Sequence, residues 1–190
     1  MNLRSIAIKT GMVLTVSLTM VPVTIGQAGS ETFTATAAVT GAGGAAATAP
    51  ITITVDRKMP QDEAEKFLAA FKSGGAAALR KALTGVKPTG SVRIGNQKPT
   101  PTRLTLERVT DKGRLLTMVT DTPVLFLGAG VPEAKPKAGY DFGIVDLEVD
   151  QAGSGSGTLA PAAKVTVKQG VFVVDDYGSE LVRLTGVKRK

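Results

Sequence analysis

Residues 102–120 read TRLTLERVTDKGRLLTMVT. Leu104 and Leu106 fall in phase, with Arg103, Thr105 and Glu107 on the alternate positions, which is the period of a strand with one apolar side. Val109 breaks the alternation and marks a bulge or the strand end. Asp111-Lys112-Gly113 then forms a hairpin loop, with glycine where the backbone must turn left-handed. Residues 114–120 return as a second strand. So short a loop joins antiparallel neighbours, because parallel strands need a long crossover. The later half of the chain leaves no room for the helices that a parallel sheet places between its strands.

The strand pattern continues downstream. Pro123 limits pairing ahead of residues 124–127, which predicts an edge or a short separate strand. Residues 128–139 (GAGVPEAKPKAG) are expected to be an irregular loop. Residues 140–150 form a long strand with Val145, Leu147 and Val149 on its buried face. Residues 151–157 (QAGSGSG) read as a flexible turn, and residues 158–168 as a strand broken near Pro161. A two-residue turn at Gln169-Gly170 would lead into residues 171–175, placing Lys164 opposite Asp175 and Val165 opposite Val174. Residues 181–187 supply the last strand, before the charged tail Lys188-Arg189-Lys190.

Upstream, residues 91–95 form a short strand with Val92 and Ile94 on one face. A helical segment spans about residues 60–84. Pro60 suits a helix start because it lacks the N–H that would be unpaired there, and Asp62, Glu63 and Glu65 suit the positive end of the helix dipole. Ala64, Phe67, Leu68 and Phe71 give one apolar face. Ser73-Gly74-Gly75 interrupts the helix, and a second turn of helix carries Leu79 and Leu83 inward and stops at Gly85. Before it lie two further strands, residues 32–40 with Phe33, Ala35, Ala37 and Val39 in phase, and residues 50–57 with Ile51, Ile53 and Val55 in phase. The Gly/Ala-rich stretch 41–49 between them is the end of a hairpin or a linker. The fold class is therefore α+β: a mostly antiparallel curved sheet, or partly open barrel, with one helical segment packed on it.

The first residues set the destination. Arg4 and Lys9 precede the uncharged run GMVLTVSLTMVPVTIG at residues 11–26, and Gly26 and Ala28 give a small-x-small cleavage pattern. Residues 1–28 are expected to be a cleaved signal peptide, leaving a single domain at 29–190 and no transmembrane span. The localisation expected is export, to the periplasm or the medium. The 190 residues include no His, Cys or Trp. That excludes His-based triads, imidazole or thiolate metal sites, thiol nucleophiles and disulfides. Without disulfides an exported chain relies on its packed core, here mostly aliphatic.

Few residues suggest chemistry. Asp146, Glu148 and Asp150 share one strand face and are the candidate metal ligands, but the calcium-loop pattern is not met, and a solvated strand face explains them. Asp175-Asp176-Tyr177-Gly178 is a turn-like acidic cluster. The Gly/Ser run at 153–157 lacks phosphate-loop spacing, and no nucleophile-elbow motif occurs. No cofactor is expected. Charge is uneven: residues 56–114 hold 13 basic and 6 acidic side chains, whereas 115–190 hold 8 and 9. The candidate basic surface is Arg80, Lys81, Lys87, Arg93 and Arg103. Its expected partner is an anionic envelope component or a protein. Nucleic acid is not expected, since stacking aromatics are lacking. The function expected is non-enzymatic structural or interaction work at the envelope or outside the cell. Two alternatives are an apolar-ligand module with a cavity between sheet and helix, and an enzyme using carboxylates or Lys.

Overall fold

The computed structural model describes residues 29–40, 46–124, 126, 139–168, 171–176 and 181–190. The expected signal segment, part of the Gly/Ala stretch (41–45), nearly all of the 128–139 loop, the Gln169-Gly170 turn and Tyr177-Gly178 lie outside the described residues.

Strands β1 (Glu31–Thr40) and β2 (Ala46–Val55) pair antiparallel from Glu31 opposite Val55 to Thr40 opposite Ala46, so residues 46–49 of the Gly/Ala stretch belong to β2. Helix α1 (Gln61–Thr84) follows, then β3 (Gly90–Ile94), β4 (Thr100–Thr110), β5 (Gly113–Thr120), β6 (Phe142–Val149), β7 (Ser154–Lys168), β8 (Val171–Asp176) and β9 (Val182–Arg189). The sheet runs β6-β5-β4-β3-β2-β1-β9-β7, and β7 pairs again with β6. The curved sheet thus closes into an eight-stranded antiparallel barrel, with β8 as an extra strand on the far half of β7.

An eight-stranded barrel has an interior just wide enough for side chains to fill. Phe33, Ile51, Ile53, Leu116, Leu147 and Leu184 are among those that fill it. All six are at most 1% exposed. The alternate residues on β1, β2, β3 and β9 point outward and are mostly hydroxyl-bearing or cationic, with Ala38, Ala46 and Pro50 among them. This is the reverse of a membrane-spanning barrel, whose outer band is apolar. Among the described residues no helix is long and apolar enough to cross a membrane.

Helix α1 lies on the outside of the barrel, over β4 and β7. Its backbone leaves helical geometry at Gly74 and Gly75, where φ of Gly75 is 64°. The glycine pair therefore bends one helical segment into two, as the sequence implies. Phe67, Leu79 and Leu83 pack with Leu104, Phe142 and Ile144 in a second apolar cluster between helix and barrel.

Four expectations need correction. Residues 123, 124 and 126 form no strand. Val124 and Phe126 instead belong to the barrel's interior cluster, and the Val124 N–H donates to the Pro161 carbonyl at 2.8 Å. The flexible turn is shorter than expected, because β7 begins at Ser154 and its glycines pair with β6 and β9. A Cβ on Gly155 would come within 1.9 Å of the Glu148 carbonyl oxygen, so these glycines serve close strand approach. The strand through Pro161 is continuous, and the irregularity there is a register shift against β6. A bulge moves the partner of Lys164 from Asp175 to Asp176, whereas Val165 faces Val174 as expected.

Truncating Phe33 to Ala should cost about 3–5 kcal/mol, because the packed interior cannot collapse around the void. Urea unfolding checks this: the midpoint should fall with an unchanged slope. An unchanged midpoint would mean that the barrel interior is not the source of stability.

Candidate functional site

The residues singled out from the sequence separate in space. Arg80, in the second half of α1, makes a 3.0 Å ion pair with Asp141. Arg103 sits at a bulge in β4, where the register shifts between Thr102 and Leu104. Its Nε donates to Asp121 at 3.1 Å and its Nη1 to the Val86 carbonyl at 2.9 Å. The two side chains of that pair are only 18% and 8% exposed, so Arg103 is a structural clamp holding the chain just after α1. It is not part of a basic surface. Lys81 and Lys87 are exposed at the end of α1 and just after it, and Arg93 is exposed on β3.

The acidic column also resolves into local roles. Asp146 accepts a 2.6 Å hydrogen bond from the Thr117 hydroxyl. Asp150 shapes the turn into β7, accepting from the Ser154 N–H at 2.9 Å. Glu148 stands between them on the outer face of β6, half-buried. Among the described residues no group of three acidic side chains is placed to hold a metal ion.

Two other features are built by the closed topology. The first is a charged cluster at one end of the barrel, where β1 begins and β9 ends. Arg114 reaches Glu31 at 3.0 Å and Glu107 at 2.9 Å. Lys58 lies 2.5 Å from Glu107, and Arg189 lies 3.8 Å from Glu31. An open cleft of about 590 Å³ adjoins the cluster, bordered by Glu107, Lys112, Arg114, Asp150 and the exposed Val109. Burial alone would push the Glu107 carboxyl up, but Lys58 and then Arg114 outweigh it and hold its pKa below the ordinary 4.5. Burial likewise opposes charge on Arg114, and Glu31 and Glu107 together raise its already high pKa. A carboxylate held ionised in this way is a poor proton donor at neutral pH.

The second feature is the outer face of β9, β1, β2 and β3, four adjacent strands that α1 does not cover. Their only acidic residue is Glu31, which is engaged in the cluster at the barrel end. Arg93 on β3 and Arg183 and Lys188 on β9 are exposed on this face. Thr34 and Thr52 lie between them, because Lys188 is opposite Thr34, Thr34 opposite Thr52, and Thr52 opposite Arg93. Asp146 and Glu148 bound the face two strands away on β6, beyond β7. Sequence reading missed Arg183 and Lys188 because they lie outside the basic stretch 56–114. The alternation of Val182 and Leu184 with Arg183 and Thr185 was the available signal for Arg183, whereas Lys188 reaches the outer face through the register shift around Gly186.

No protein-family model, no curated protein and no solved structure matches the chain.

The depressed pKa of Glu107 has a definite sign. Its contribution to stability is present above the ordinary value of 4.5 and is lost as pH falls through the lower folded value. The raised pKa of Arg114 leaves its contribution intact at every pH below its ordinary value. The urea midpoint should therefore fall as pH drops below the ordinary 4.5, and Glu107→Gln should flatten part of that fall. Equal pH dependence in the variant would show that the cluster is not the titrating element. At neutral pH Glu107→Gln should cost about 1–2 kcal/mol, between the values for exposed and buried pairs.

Proposed function

We propose that this is an exported, non-enzymatic protein that binds an anionic component of the cell envelope through the uncovered outer face of β9, β1, β2 and β3. One observation carries the reading: exposed Arg93, Arg183 and Lys188 project from neighbouring strands among threonine hydroxyls, with no acidic side chain on the same face among the described residues. Such a one-signed surface concentrates anionic partners and speeds their encounter. The signal-like segment at residues 1–28 supports export.

The packing favours this reading over the apolar-ligand alternative. Phe67, Leu79 and Leu83 occupy the seam between helix and barrel, and large side chains fill the barrel itself. It also favours binding over catalysis, since the partly buried carboxylates of Glu31, Glu107 and Asp121 each face a cation.

Two outcomes test the proposal. The protein recovered from the exporting cell should begin at Gly29 by mass spectrometry, whereas a mature N-terminus at Met1 would overturn export by cleavage. It should bind polyanions at low salt and release them as salt rises. The variant Arg93→Gln/Arg183→Gln/Lys188→Gln should bind about tenfold to a hundredfold more weakly, from three screened contacts of about 0.5–1 kcal/mol each. Arg80→Gln should bind as the parent does. Indifference of the parent to every polyanion at low salt would remove the proposal.

A further inference from the structure

Resting on that reading, we infer that the anionic partner is an extended acidic polysaccharide lying across the strands, rather than a lipid surface. The register sets out the contacts. Ser154, Lys188, Thr34, Thr52 and Arg93 are successive cross-strand neighbours on β7, β9, β1, β2 and β3. With strands about 4.8 Å apart, Lys188 and Arg93 stand about 14 Å from each other with only hydroxyls between them. A third cation, Arg183, lies farther along β9 opposite Thr158 and Ala38.

This pattern matches the chemistry of an acidic sugar chain. Carboxylates or sulfates spaced along the chain meet separated cations. Sugar hydroxyls, which both donate and accept, meet threonine hydroxyls, which do the same. A lipid bilayer fits less well for two reasons. The outer wall of a barrel is convex, so a flat membrane would reach only a narrow strip of it, whereas a flexible polymer follows the curve. The face also lacks apolar side chains to enter the headgroup region, since the exposed large apolar residues among those described are Val109, at the tip of the β4–β5 hairpin, and Leu181, just ahead of β9.

The test uses the full exported chain and three probes: polygalacturonate oligomers of graded length, phosphatidylglycerol vesicles and inorganic polyphosphate. Polygalacturonate should bind more tightly as it lengthens, until the oligomer spans the row from Ser154 to Arg93. The variant Thr34→Val/Thr52→Val keeps β-branched shape and charge while removing two hydroxyls. It should bind polygalacturonate roughly fivefold or more weakly while binding polyphosphate unchanged. Its unfolding midpoint, measured alongside, separates a lost contact from a lost fold. If a folded valine variant binds polygalacturonate like the parent, or if vesicles bind and polygalacturonate does not, the polysaccharide inference falls and the anionic face stands. If none of the three probes binds at low salt, both fall together.

Discussion

The closure of the sheet through β7 is the constraint on which the rest depends. This strand serves β6 along one edge and β9 along the other, and it can do so because its first residues are small. At Gly155 and Gly157 a Cβ would strike the Glu148 and Asp146 carbonyl oxygens. Removing those side chains lets β6 come close enough to complete the barrel. Closure leaves the eight barrel strands without a free end to their ladder, and it divides each of them into an inner and an outer face. It also brings the first and last strands together as β1 and β9. Both the charged barrel end and the cationic face depend on that meeting of the two ends of the domain.

The helix changes what alternation means over part of the wall. Across β1, β2, β3 and β9 the apolar phase points inward, so Phe33, Ile51 and Val92 were legible as core from their spacing alone. Over part of β4 to β7 the outer face is covered by α1, and there apolar residues are needed on both sides. Leu104 and Leu106 therefore point outward to the helix, while Thr102 and Thr105 turn inward. Their hydroxyls are satisfied by Thr89, at 3.1 and 2.8 Å, so burying them leaves no orphaned polar group there. The two leucines were correctly seen as in phase with each other. Which face they served depended on where the helix docked, and no local pattern carries that information.

The same reasoning explains what was legible of the site. The helix interruption at Gly74-Gly75, the hairpin at residues 111–113 and the inward set Val145, Leu147 and Val149 follow from local chemistry and were readable. A basic window in the chain is not a basic surface. Arg80 and Arg103 belong to that window, yet their charges are taken by Asp141 and Asp121, partners distant in sequence. Arg93 shares its face with Arg183 and Lys188, which lie in a part of the chain whose overall charge is slightly negative. Strand pairing sorts these charges, and pairing between the ends of a chain leaves little local trace.

The charged barrel end and the cationic face also divide the electrostatic work between them. Lys58, Arg114 and Arg189 are set against Glu31 and Glu107, so most of that charge is cancelled at close range. Among the described residues, the cations on the outer wall have no such partners on their own face. At about 0.1 M salt the screening length is about 10 Å, shorter than the separation of Arg93 and Lys188 inferred from the register. Each cation therefore acts almost independently, and no single one holds a small anion firmly. A chain molecule that engages them in turn gains from the high effective concentration of each later contact once the first is made. Weak, separated cations among hydroxyls thus discriminate by length and repeat rather than by charge alone, which suits a partner that is a polymer.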